Sequence, residues 1–226
     1  MKNLSFTAFI TGILLTGCSC TEEDLEIKGK VLDERTKTAI PNREIIVQAL
    51  VKNDNKFIPV YNGEFSTDSS GFFAYPLRKI KNVYLYNFCV IGDSTYAYSN
   101  IELGLTELKR YGKFLCFNLN KLTDITIIID MKGRTPNNDV LYVSWESDGI
   151  KGTYLYPYTI KNYGFTSSNT GLKWIGGDIK SEIKTKVFAD KVTIVRWEIF
   201  SYGKRKEVTD TIICMRDVAN YFSLKY

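Results

Sequence analysis

Apolar residues recur at every second position through long stretches of this chain, the repeat of a half-buried strand. Ile27, Gly29 and Val31 fall on one face, ahead of a polar turn that ends in Pro41-Asn42. Ile45, Val47, Ala49 and Val51 share the face of a second strand over 44–51. Residues 57–61 predict a third, and Pro59, which lacks an N–H for the ladder, puts it at a sheet edge. Asp68-Ser69-Ser70-Gly71 predicts a turn, because Asp and Ser side chains bond nearby backbone and Gly accepts a positive φ. Phe73, Tyr75 and Leu77 then alternate inward. Further strands are expected over 84–91, 96–102, 113–118 and 124–130, with one helical turn over 106–110 capped by Thr106.

Gly, Pro and Asn concentrate in Lys132-Gly133-Arg134-Thr135-Pro136-Asn137-Asn138, and no apolar period crosses it, so 133–138 reads as a linker. Beyond it the alternation resumes. Leu141, Val143 and Trp145 oppose Tyr142, Ser144 and Glu146, and Thr193, Val195, Trp197 and Ile199 oppose Arg196 and Glu198. Residues 200–206 read as a hairpin turn, 208–215 as its return strand and 218–226 as a closing strand. Half-buried sheets must cover one another. The expected fold class is therefore all-β, with two β-sandwich domains over 25–132 and 139–226, the second immunoglobulin-like in size.

The N-terminus departs from this pattern. Lys2 precedes an uncharged run over 4–16, too short for the roughly 20 residues of a membrane span. It ends in Leu15-Thr16-Gly17-Cys18. This resembles the lipobox of bacterial lipoproteins. The resemblance implies that residues 1–17 are a signal peptide, that cleavage exposes Cys18, and that Cys18 is acylated on its sulfur and its new amine. Each buried CH₂ contributes about 0.8 kcal/mol, so two or more chains hold firmly to a bilayer. The plain alternative is an ordinary secretory signal followed by an incidental cysteine. Residues 18–24 form an acidic tether, in which Ser19 and Thr21-Glu22-Glu23-Asp24 resemble the surface-export signal of Bacteroidetes lipoproteins. Cys20 interrupts the usual spacing, and a solvated spacer accounts for the same charges. On these resemblances the chain belongs at the outer membrane, lipid-anchored and exposed on the cell surface.

A second resemblance rests on Gly29-Lys30-Val31-Leu32-Asp33, Thr38-Ala39-Ile40-Pro41-Asn42, Ile45-Ile46-Val47 and Thr67-Asp68 followed by Gly71-Phe72-Phe73. Together these resemble the carboxypeptidase regulatory-like domain over about 25–130. That family implies a transthyretin-like (prealbumin-like) sandwich of about seven strands. Asn42 stands where the family usually has Gly. The resemblance implies a support or display module and assigns no catalytic residue.

Composition narrows the chemistry. Aromatics make up 14% of 226 residues, which argues against disorder. A net charge of +5, without a basic stripe interleaved with aromatics, gives no reason to expect a nucleic-acid partner. Histidine is absent. That removes the commonest general base and the usual metal ligand, so no metal, cofactor or enzymatic activity is expected. Cys89, Cys116 and Cys214 form no CxxC pair. Cys89 and Cys116 lie on separate strands and could bridge, although buried free thiols are the favoured reading.

Carboxylates offer the one enzymatic route. Glu146 and Asp148 sit beside Trp145, and a glycosidase needs two such groups about 5 to 9.5 Å apart. Asp148-Gly149 is read first as a hairpin turn. Tyr154, Tyr156 and Trp174 are the candidate ligand-binding residues, because aromatic rings stack on the apolar faces of sugars while keeping a polar handle. The competing expectation puts Tyr154, Tyr156 and Tyr158 on one packed strand face and Trp174 in the core. Lys204-Arg205-Lys206 could meet an anionic polymer or lipid, or simply be solvated. The sequence thus points to a non-catalytic envelope module for adhesion, scaffolding or glycan binding, held to the membrane by lipid. A carboxylate glycosidase and a protein-partner subunit of an outer-membrane complex remain alternatives.

Overall fold

The computed structural model describes residues 25–54, 56–111, 114–131, 139–161, 165–168 and 171–224. The signal peptide, Cys18, the acidic tether and the expected linker at 133–138 lie outside the described residues.

The alternation that begins at Ile27 builds a first sandwich. Its elements are β1 (Leu25–Asp33), β2 (Glu44–Asn53), β3 (Lys56–Ser66), β4 (Phe72–Leu77), β5 (Leu85–Val90), β6 (Ser99–Gly104), α1 (Leu105–Tyr111) and β7 (Phe114–Leu119). A three-stranded sheet in the order β4-β1-β7 faces a four-stranded sheet in the order β3-β2-β5-β6. Between them lie Ile27, Val31, Ile45, Val47, Phe73, Leu77, Phe88 and Phe117. The sequence alternation predicts an eighth strand here, over 124–130, which the fold places in the other sandwich. Gly29 is required where β1 crosses the Phe73 ring, since a Cβ there would lie 2.2 Å from the Leu115 carbonyl oxygen. Asn42 takes a φ of 54°, the left-handed conformation that Asn tolerates better than most residues, so it can stand in for the usual Gly. Pro59 lies on the edge strand β3, beside a bulge between Ala49 and Leu50. The helical turn starts at Leu105, so Thr106 is inside it, and the Glu107 carboxylate accepts the Gly104 N–H instead.

The second sandwich comprises β8 (Leu122–Met131), β9 (Val140–Ser147), β10 (Ile150–Lys151), α2 (Gly152–Leu155), β11 (Thr159–Lys161), β12 (Thr166–Ser168), β13 (Gly171–Ile175), β14 (Ile179–Phe188), β15 (Val192–Ser201), β16 (Lys204–Ile213) and β17 (Asn220–Leu224). One sheet runs β12-β13-β9-β15-β16, with β10 paired to β9, and the other runs β11-β14-β8-β17. Ile125, Ile127, Ile129, Val143, Trp145, Ile183, Val195 and Trp197 fill its centre. Tyr202 and Gly203, with φ of 50° and 70°, make the two-residue hairpin between β15 and β16.

The placement of β8 corrects the sequence reading, which ended the first domain at 132. This strand pairs with β14 along ten positions and with β17 in parallel, and its inward side chains belong to the second core. The chain therefore crosses between sandwiches at Asn120-Lys121, a dipeptide without Gly or Pro. In sequence order the Gly/Pro/Asn run, outside the described residues, falls between β8 and β9, two strands of one sandwich.

Candidate functional site

The crossover is short because both sandwiches clamp it. The Leu122 N–H donates to the Thr95 carbonyl at 2.7 Å, the Ala97 N–H to Asn120 at 3.0 Å, and the Ala189 N–H to Lys121 at 2.8 Å. The β5–β6 loop thus leans on the second sandwich, and Ala97 is buried in its core. That loop is shaped by Asp93, whose carboxylate accepts the N–H groups of Thr95 and Tyr96 and pairs with Arg43 at 2.5 Å. The Arg43 guanidinium in turn sits 5.1 Å from the Tyr96 ring centre.

An ion network spans the same junction. Asp33, at the end of β1 and only 1% exposed, accepts N–H groups from Arg35 and Thr36 and a hydrogen bond from the Tyr96 hydroxyl at 3.2 Å. Arg216 of the second sandwich reaches Asp33 at 3.0 Å and Asp190 at 3.0 Å, and Arg35 reaches Asp190 at 2.5 Å. Burial works to raise the Asp33 carboxyl, but the Thr36 N–H, Arg216 and the Arg35 N–H outweigh it and bring it down to about 2. The Arg35 hydrogen bond, opposed by burial and reinforced by Arg216, holds Asp190 below the usual carboxylate range. Burial and the Asp33 charge push the Tyr96 phenol up.

Two clefts flank this junction. One, of about 370 Å³, is lined by the β5–β6 loop with Asp93, Ser94, Tyr96 and Tyr98, and by Leu122, Leu155, Tyr156 and Pro157 across from it. Tyr98 is exposed. The lining is chiefly apolar and aromatic, with Asp93, Ser94 and the phenols as polar groups. The other cleft, of about 600 Å³, carries Arg35, Lys121, Asp190, Lys191 and Arg216 beside Ile213 and Met215. Its cations are already committed: Lys121 holds Asp217 at 2.7 and 2.8 Å, and Lys191 holds Asp148 at 3.4 Å.

Of the residues singled out from sequence, Tyr156 lies in the aromatic cleft. Tyr154, on the short helix α2, is 73% exposed. Trp174 is buried in the second core, which corrects its reading as a ligand contact. The tyrosines do not share a strand face, because Gly152 starts a helical turn over the Trp145 indole; a Cβ on Gly152 would lie 1.6 Å from Trp145 Nε1. Glu146 pairs with Arg196 at 3.0 Å, and Asp148 occupies the β9–β10 turn with a φ of 49°. Each carboxylate is held by its own cation. Arg205 at the basic hairpin pairs with Glu198 and Glu207.

Cys89 and Cys116 are free. They sit on the outward sides of β5 and β7, in opposite sheets, so the core separates them and no bridge forms. Cys214 is buried and free, and burial pushes its thiol up to about 11. Sequence reasoning missed Asp33, Tyr98 and Arg216. A polar Asp-Ser-Thr turn followed by Tyr96 and Tyr98 was the one available signal for the loop, while the Asp33–Arg216 pair joins residues 183 positions apart.

No family model and no curated protein matches this chain. Among solved structures, a mutant of the shaft pilin SpaA from Lactobacillus rhamnosus GG is similar at 10% identity and a TM-score of 0.33, covering 90% of this chain and 99% of that one. A streptococcal ancillary pilin shows 9% identity and a TM-score of 0.33, over 89% of this chain. The major pilin SpaD from Corynebacterium diphtheriae shows 10% and 0.32, over 84%. This chain spans 62% of the streptococcal pilin and 64% of SpaD. Likeness at that level transfers neither residues nor activity.

Proposed function

We propose that this chain is a non-catalytic, lipid-anchored module of the cell envelope that binds glycan in the aromatic cleft between its sandwiches. The observation that carries the reading is the meeting of Tyr98 and Tyr156 from different sandwiches, with Ser94 beside them. A sugar ring presents an apolar face to such aromatics and hydroxyls to the nearby polar groups. The anchor reading is supported by Lys2, the uncharged run and Leu15-Thr16-Gly17-Cys18. Mass spectrometry of the mature N-terminus tests the anchor, with an acylated Cys18 expected and an unmodified one sinking it. Glycan arrays followed by calorimetry test the cleft. Affinity left unchanged by Tyr98→Ala/Tyr156→Ala would rule the cleft out.

A second reading, a protein-partner subunit, has its own support. Val192 and Ile213 are paired across β15 and β16, and both are exposed. Ile213 and Met215 also line the larger cleft, an apolar rim suited to a protein surface. Cross-linking through this rim in intact cells, with glycan binding unaffected by its mutation, would favour this reading.

A further inference from the structure

The end of the first sandwich remote from the junction has a character of its own. Strand register identifies what meets there. Leu25 opens β1 opposite Leu77, the last residue of β4, whereas Asp33 closes β1 at the junction. Lys52 and Phe57 face each other near the β2–β3 hairpin tip, and the Tyr84 N–H donates to the Leu50 carbonyl at 2.8 Å. Gly104 pairs with Leu85, so α1 begins at the same end. The hairpin, the β4–β5 loop, α1 and the point where the N-terminal tether joins the fold are therefore together.

The hairpin overruns the core. Its first five β3 residues are all exposed, with no inward alternation, because no facing sheet lies opposite them. Phe57 is 52% exposed, Ile58 42% and Tyr84 53%. Phe57 and Tyr84 pack ring to ring at 5.4 Å, with the Lys52 ammonium 5.6 Å from the Tyr84 ring centre. The same end carries the exposed cations Lys52, Lys56, Arg78, Lys81, Lys109 and Arg110, against the carboxylates of Asp54, Glu107 and Glu26, the last paired with Lys28. Among the described residues, Lys56, Arg78, Lys81 and Lys109 make no ion pair.

Two observations select the occupant. Seven residue steps from Cys18 to Leu25 span at most about 25 Å when fully extended, so an acylated Cys18 keeps this end close to the bilayer. Exposed aromatic and aliphatic side chains beside Lys56, Arg78, Lys81 and Lys109, which make no ion pair among the described residues, are what an interface of anionic headgroups favours. We propose that this end of the first sandwich is a membrane-contact surface, with Phe57, Ile58 and Tyr84 at headgroup depth and Lys52, Lys56, Arg78 and Lys81 on anionic headgroups. The inference rests on the anchor reading above. It sets the orientation as well, with the aromatic cleft at the opposite end of β1, facing away from the bilayer.

The test uses the acylated full chain, its N-terminus verified by mass spectrometry, in vesicles of phosphatidylglycerol and phosphatidylcholine with brominated acyl chains. Tyr84→Trp supplies a reporter at a half-open position. Trp145, Trp174 and Trp197 lie buried in the second sandwich and should be insensitive to bromine. The added emission should be quenched. Quenching should fall by at least about half in pure phosphatidylcholine and with Lys52→Glu/Lys56→Glu/Arg78→Glu/Lys81→Glu. Unquenched emission in the anchored protein overturns the proposal and leaves the anchor standing. So does quenching that appears only with Glu22→Gln/Glu23→Gln/Asp24→Asn, which would assign the acidic tether as the occupant. If Cys18 is unmodified, the full chain is floated with the same vesicles without reliance on an anchor. Flotation abolished by the charge reversal supports the surface. Absent flotation, or retention on an anionic polysaccharide alone, overturns it.

Discussion

The two ends of the first sandwich use charge in opposite ways. At the junction, carboxylate and guanidinium groups are brought together and satisfied: Asp33 with Arg216, Asp190 with Arg35 and Arg216, Asp93 with Arg43. At the remote end Lys56, Arg78, Lys81 and Lys109 stand in solvent without ion pairs among the described residues, around rings that no sheet covers. The first end is completed within the chain. On the proposal above, the second meets its complement in the headgroups of a bilayer. Residues of the same types therefore bear on stability at one end and on association at the other.

The largest expected difference comes from Arg216→Ala. It strands the nearly buried Asp33 carboxylate and should cost about 3 kcal/mol or more in chemical denaturation. Asp33→Leu/Arg216→Met should recover most of that loss, because the desolvated charges go together. A smaller effect is expected with pH. The Asp33 carboxyl titrates near 3.8 when unfolded and near 2 when folded, so its contribution is complete above pH 4 and disappears as pH falls through 2. That interval should account for about 2 kcal/mol, visible as a flatter acid limb of the melting temperature in Asp33→Asn.

Third, Tyr98→Ala/Tyr156→Ala should weaken glycan affinity roughly tenfold while reducing stability by about 1 kcal/mol, measured by calorimetry and by thermal unfolding. The smallest effect is expected at the remote end. Lys52→Glu/Lys56→Glu/Arg78→Glu/Lys81→Glu should leave stability within about 0.5 kcal/mol of the parent, since exposed charges contribute little to the fold. A loss of several kcal/mol there would break the contrast between the ends.

Local patterns made much of the architecture legible. The alternation of Ile27, Gly29 and Val31, the Asp68–Gly71 turn and the edge position of Pro59 are all nearest-neighbour physics, and the fold has them. The domain boundary was not legible, because the crossover at Asn120-Lys121 carries no Gly or Pro to mark it. β8 had the right alternation but no label saying which core its face would meet. The candidate site divided the same way. Tyr156 could be named from composition, whereas Tyr98 gained its meaning only once the β5–β6 loop leaned across the junction. Tyr154 and Trp174 were equally aromatic in the sequence, and packing sent one into solvent and the other into the core.

β1 runs beside β7 in parallel, with Leu25 at one end and Leu119 at the other. If the N-terminus is held by lipid and the second sandwich is pulled by whatever it grips, tension enters this pair at opposite ends. The inter-strand hydrogen bonds are then loaded together in shear, instead of being peeled open one by one. The same topology that puts the tether and the crossover at opposite ends of the domain thus suits it to carrying load.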